Sequence, residues 1–115
     1  MAVETRVRPE WASYPGDGVT VSAYLARPEG TGPWPGIVMI HENPGLTEHR
    51  QEVTRLLAAD GYVVLTPNLF SRLGGEAPKG DDHSRHLLIG QATRDEQVFS
   101  DLMHGLDFLS EQADV

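Results

Sequence analysis

Residues Pro35-Gly36-Ile37-Val38-Met39-Ile40 form an apolar run without a polar interruption, and it stops on His41-Glu42-Asn43-Pro44-Gly45. A strand with one wet face alternates polar and apolar residues. A run with no polar member fits a strand covered on both faces, as in a parallel sheet flanked by helices. Ile37 and Val38 add the β-branched side chains that suit a pleated strand. In open α/β sheets ligands bind beyond the carboxyl ends of the strands, so His41, Glu42 and Asn43 are the first candidates for chemistry.

The flanking segments extend this pattern. Val3, Thr5 and Val7 alternate with Glu4, Arg6 and Arg8, predicting a short amphipathic strand that Pro9 ends. Gly16-Asp17-Gly18 is a turn signal, followed by Val19, Val21, Ala23 and Leu25 in alternation with Thr20, Ser22 and Tyr24. This predicts a half-exposed antiparallel strand pair at a sheet edge. Thr47 offers an N-cap oxygen, Val53, Leu56 and Leu57 fall at helical spacing, and Gly61 suits a C-terminal stop, which predicts a helix over 48–60. Tyr62-Val63-Val64-Leu65-Thr66 reads as a second apolar strand, so strand, helix and strand make a right-handed βαβ unit with parallel strands. Residues 68–90 are polar and longer than a plain connection, as a binding or mobile loop would be. Thr93-Arg94-Asp95-Glu96 reads as a capping box for a helix over 93–112, with Val98, Leu102, Leu106 and Leu109 as its packed stripe.

Charge narrows the partners. Seventeen Asp and Glu against nine Lys and Arg leave a net charge of -8, which argues against a nucleic-acid surface and an anionic membrane. No run approaches the ~20 apolar residues of a membrane span, and no export leader is recognisable. The absence of cysteine removes disulfides and thiol nucleophiles from these 115 residues and fits a cytoplasmic home. Asp81-Asp82-His83-Ser84-Arg85-His86 holds metal-ligand residue types, but its His-x-x-His spacing lacks a helix-borne glutamate partner, so no metal and no cofactor are expected.

Four separate pieces, in order, resemble the dienelactone hydrolase family of α/β-hydrolases: Tyr24-Leu25-Ala26-Arg27-Pro28, the turn from Ile40 to Leu46, Leu57-Ala58-Ala59-Asp60-Gly61-Tyr62, and Pro67-Asn68-Leu69-Phe70-Ser71-Arg72. The last keeps the family's pattern with Asn68 for the usual Asp and Phe70 for Tyr. The resemblance implies the N-terminal half of an α/β-hydrolase over residues 1–115, an antiparallel strand pair followed by parallel βαβ strands with flanking helices. It also implies hydrolysis of an enol-lactone or related ester by a Cys-His-Asp triad, the Cys standing on a tight turn between a strand and a helix. None of those three positions can be assigned in these residues, because no Ser has a Gly two residues before and two after it. By family order the nucleophile elbow falls just beyond the last helix.

What the resemblance carries onto these residues is a supporting set. Glu42 matches a glutamate that poises the nucleophile, a role suited to a carboxylate whose neighbours and desolvation shift its pKa. Asn43 matches the position whose backbone N–H faces the oxyanion. Arg72 matches an arginine that holds a substrate carboxylate, for which a guanidinium is the fitting group. His41 stands beside them as a substrate-side or packed histidine.

The implied arrangement leaves the outer edge of the 36–40 strand unpaired, so a further C-terminal segment or a second copy of the chain is expected to cover it. The implied partner is otherwise a small ester or lactone, anionic if Arg72 binds it. Two other readings stand beside this one: a non-catalytic binding or assembly module of the same fold, and a hydrolase using Ser71 as its nucleophile.

Overall fold

The computed structural model describes residues 6–42, 44–79, 87, 89, 90 and 94–115. Asn43, Thr93, the first strand's Val3 and Thr5, and the Asp81–His86 cluster lie outside the described residues. Strands β1 (Val7–Pro15), β2 (Thr20–Pro28), β3 (Gly36–Val38) and β4 (Val63–Pro67) form one mixed sheet in the order β1-β2-β4-β3. Helix α1 (Glu48–Ala59) joins β3 to β4, and helix α2 (Asp95–Ser110) comes last. β3 and β4 run parallel, as the strand–helix–strand pattern predicts, while β2 is antiparallel to both β1 and β4.

The first hairpin differs from its expectation in two ways. β1 runs through Pro9 instead of ending there. Glu29 N–H reaches Arg6 O at 2.9 Å and Gly16 N–H reaches Val19 O at 2.8 Å, so the even-numbered residues of β1 exchange bonds with β2. The Pro9 nitrogen therefore points away from β2, on the side where a missing donor leaves nothing unsatisfied. The pair does stand at an edge of the sheet, but β2, its inner member, is not half-exposed. It pairs with β4 from Ala23↔Pro67 to Ala26↔Val64, which buries Ala23 through Ala26.

Both faces of the sheet are covered. Along β4, Val63 and Leu65 point to the α2 side with Tyr14, Val21, Ala23, Leu25 and Leu109, while Val64 points to the α1 side with Ala26 and Ala58. Each of these valine or leucine side chains withdrawn from water contributes roughly 2 kcal/mol. The two-sided strand is thus β4, buried along its whole length. β3 departs from the sequence reading: it is short, its residues are only partly covered, and Ile40 is 55% exposed. The reason is position, since β3 is an outer strand bonded to β4 alone among the described residues. Gly36 lets α2 approach it closely, because a Cβ there would meet Leu109 Cδ2 at 2.8 Å.

α1 begins as predicted, with Thr47 Oγ1 accepting from Arg50 N–H at 3.4 Å, and Gly61 follows its end at φ +102°. Its buried residues are Thr54 and Ala58, and Leu56 is exposed. The packed stripe of α2 is likewise rotated from its expected phase. Asp101, Gly105 and Leu109 are buried, whereas Leu106 is exposed. Arg94 takes the N-cap position without a side-chain bond. No helix among the described residues is long and apolar enough to cross a membrane.

Candidate active site

The candidate site is built at the carboxyl end of β3, where the chain leaves the sheet and turns back into α1. Met39 still bonds the sheet through Leu65 O (2.8 Å), and the chain then reverses over Glu42 to Gly45, closed by Gly45 N–H to Glu42 O at 2.9 Å. Gly45 has φ +94°, and a Cβ there would lie 3.3 Å from the Phe70 ring, so a glycine meets both the backbone and the packing demand.

His41 is buried beneath this turn. Its Nδ1 lies 2.8 Å from Glu42 O and its Nε2 lies 2.9 Å from Leu69 N. A carbonyl only accepts and a peptide N–H only donates, so Nδ1 carries the proton and Nε2 is bare. The imidazole is neutral. Burial pushes its pKa below the ordinary value; the Glu42 carbonyl bond opposes that shift, and the nearby Arg50 guanidinium adds to it. The Phe70 ring packs on the imidazole with centroids 5.0 Å apart.

Glu42 keeps its main chain in the turn and its side chain in water. The carboxylate is 75% exposed and ion-paired with Arg50 of α1. The expected neighbour is therefore present, while the expected desolvation is not. Glu42, Pro44, Gly45, Thr47, His49 and Arg50 line a depression of about 210 Å³ over the turn.

Arg72 sits in a short 3-10 turn, Ser71–Leu73, after β4. Its guanidinium donates to Asp101 Oδ1 at 2.9 Å, and the Asp101 side chain is 3% exposed. Among the described residues, Arg72 makes no hydrogen bond to His41 or Glu42. The link between the two loops is His41 itself, through Leu69. Ser71 is held within its own turn, donating to Asn68 O at 2.6 Å and accepting from Ser22 N–H at 3.1 Å.

Three residues of this constellation are given no role by the sequence reading. Asn68 braces the loop, accepting from Phe70 N–H at 3.0 Å and donating to Gly75 O at 2.7 Å. Arg50 pairs with Glu42, and Asp101 pairs with Arg72. Asp101 had a usable signal: it sits among the apolar residues of a helix, where an acid needs a partner. Among the described residues, no cluster of three His, Asp or Glu side chains is arranged to hold a metal ion.

Known proteins share this architecture. Residues 21–115 match the model of the dienelactone hydrolase family. A candidate carboxymethylenebutenolidase of Escherichia coli is 35% identical over 97 residues, covering 82% of this chain and 35% of that protein. A candidate hydrolase fragment of the same organism, YghX, is 39% identical over 82 residues, covering 68% of each. Among solved structures, a candidate dienelactone hydrolase of Klebsiella pneumoniae superposes with a TM-score of 0.85 at 28% identity, covering 94% of this chain and 45% of that one. A dienelactone hydrolase-like promiscuous phosphotriesterase from metagenomic libraries gives a TM-score of 0.75 at 25% identity, covering 95% and 45%. The chain thus spans 34% and 35% of the length of two carboxymethylenebutenolidase relatives it matches.

Proposed function

Because the chain belongs to the dienelactone hydrolase family, we propose that it supplies the supporting half of a site that hydrolyses carboxylic esters or enol-lactones. The observation that carries this reading is the turn at the end of β3. There the Glu42 carbonyl is held by His41 and Gly45, and the Glu42 carboxylate stands free of the sheet beside Arg50.

In this reading the nucleophile and the Asp and His that activate it come from residues outside these 115. Attack of the nucleophile on the ester carbonyl gives a tetrahedral oxyanion, and the Asn43 backbone N–H is one of the donors facing it. Glu42 poises the nucleophile, reaching it by moving off Arg50. Arg72 orients an anionic substrate only if it shares its guanidinium with Asp101, whose carboxylate already takes one of its N–H groups. Ser71 is not the nucleophile of this proposal, since its hydroxyl is engaged in the turn with Asn68 and Ser22.

A second reading, an assembly module without catalysis, draws on the outer position of β3, whose far side has no strand beside it among the described residues. Intact mass, solution mass and turnover of a p-nitrophenyl ester, measured on one preparation, separate the two. Turnover by material heavier than 12.6 kDa supports the split of chemistry proposed here. Turnover by the 12.6 kDa chain alone overturns the placement of the nucleophile. A 12.6 kDa chain that dimerises and hydrolyses nothing favours assembly.

A further inference from the structure

We infer that His41 is a positioning residue, whose two ring nitrogens fix the peptide group following Glu42 and anchor it to the buried loop after β4. The inference rests on the hydrolase reading above and assigns a part of its oxyanion site.

The Glu42 carbonyl accepts two hydrogen bonds, from His41 Nδ1 at 2.8 Å and from Gly45 N–H at 2.9 Å. A peptide group is planar, so a carbonyl gripped from two sides sets the plane of the whole group. In a trans peptide group the N–H lies opposite to the carbonyl oxygen, so holding the oxygen sets the direction of the donor. This is the N–H assigned above to the oxyanion, and such a donor is effective only if its direction is set before charge develops.

Gly45 alone leaves the turn free to swing as a unit, because both ends of that bond lie within the turn. His41 adds an anchor outside it. Nε2 accepts from Leu69 N–H at 2.9 Å, and the next amide, Phe70 N–H, donates to Asn68 Oδ1 at 3.0 Å. Leu69, Phe70 and Asn68 are all buried. The chain of contacts therefore runs from the turn into the packed interior. The same geometry excludes His41 as a general base, since the lone pair that would take a substrate proton already accepts from Leu69.

Two variants separate the two bonds. His41→Asn places an amide donor near the Nδ1 position and drops the Leu69 bond; His41→Gln places an amide acceptor near the Nε2 position and drops the Glu42 bond. In the protein at the length its gene encodes, His41→Gln is expected to lower kcat for p-nitrophenyl acetate about 100-fold with KM changed less than about twofold. His41→Asn is expected to recover at least about tenfold of that loss. A His41→Gln enzyme with unchanged kcat, or variants that raise KM alone, overturns the inference.

A second readout needs no turnover. Nitrogen-15 spectra of the unaltered protein should show the Nδ1–H tautomer and a scalar coupling between Leu69 N and His41 Nε2. An Nε2–H tautomer overturns the clamp. If no preparation hydrolyses an ester, the hydrolase reading falls, and exchange of the Gly45 amide still decides the clamp. Faster exchange in His41→Gln than in His41→Asn supports it, and equal protection overturns it.

Discussion

The Tyr14 hydroxyl donates to the main-chain oxygen of Asp101 at 2.7 Å, joining the outer strand β1 to the middle of α2 across 87 positions of sequence. The phenol is buried, stacks on Phe108 at 5.5 Å, and fills the space that a Cβ on Gly105 would take, with Tyr14 Oη 2.9 Å from that position. Removing the hydroxyl without disturbing the ring isolates the bond. Tyr14→Phe is expected to lower stability by about 1 kcal/mol in urea unfolding.

The same phenol makes an alkaline prediction. Burial first, and the Asp101 carboxylate second, raise its pKa above the ordinary 10.0. Above pH 10.0 the unfolded chain releases this proton while the folded chain retains it. Its contribution is therefore fully present below that pH and is lost as pH rises. Comparison of Tyr14→Phe with the parent should show a shallower loss of stability in the variant above this point.

His41 predicts the opposite limb. Its folded pKa lies below the ordinary 6.5, with desolvation the chief cause, opposed by the Glu42 carbonyl bond and aided by the Arg50 guanidinium on α1. As pH falls below 6.5 the unfolded chain binds a proton that the folded imidazole refuses, so stability is lost from that pH down to the folded value. Denaturation curves taken at successive pH values should show this slope in the parent and not in His41→Asn.

Thr54 and Thr66 form a buried hydroxyl pair at 2.8 Å, and its direction is set because Thr54 Oγ1 already donates to Arg50 O at 2.7 Å. Thr66 must therefore be the donor to Thr54. Thr54→Val strands a buried O–H donor, whereas Thr66→Val leaves only a spare lone pair. The first should cost about 2 kcal/mol and the second about half that, with the double variant less damaged than the sum. A double-mutant cycle by thermal unfolding checks the order.

Gly45→Ala tests the turn without touching a charge. At φ +94°, with the Phe70 ring 3.3 Å from the added Cβ, the substitution should cost about 1–3 kcal/mol. Melting of Gly45→Ala beside Gly74→Ala separates backbone strain from crowding, since Gly74 shares a positive φ of +87° but has no atom within 4 Å of its Cβ position.

What could be read in the letters was local. The unalternating run of β4, the Thr47 cap and the glycine after α1 each declare themselves within a few residues, and all were legible. The interior place of β2 was not, because its pairing with β4 joins Ala23 to Pro67 and leaves no neighbouring signal. α2 shows how polar partners override an apolar count. Leu106 looks like core but is exposed, because the buried phase is set by Asp101, which binds Arg72, and by Gly105, which makes room for Tyr14. At the site, His41 and Glu42 were legible as strand-end residues. Their roles depended on Leu69 and Arg50, residues that come together only in the folded chain.

Arg27 extends the Val21-Ala23-Leu25 row of β2, and its guanidinium gathers Asp114 at 2.6 Å, Gln112 at 3.0 Å and Glu10 at 3.4 Å. Two of these partners lie more than eighty positions away. During synthesis, then, β2 emerges from the ribosome carrying a cation on the face that α2 will cover, with only the exposed Glu10 at 3.4 Å to match it until residues 112–114 follow. The hairpin cannot bury that face early at low cost. Arg27 is accordingly a fastener whose close-range partners, Asp114 and Gln112, are available only once the turn after the helix has been made.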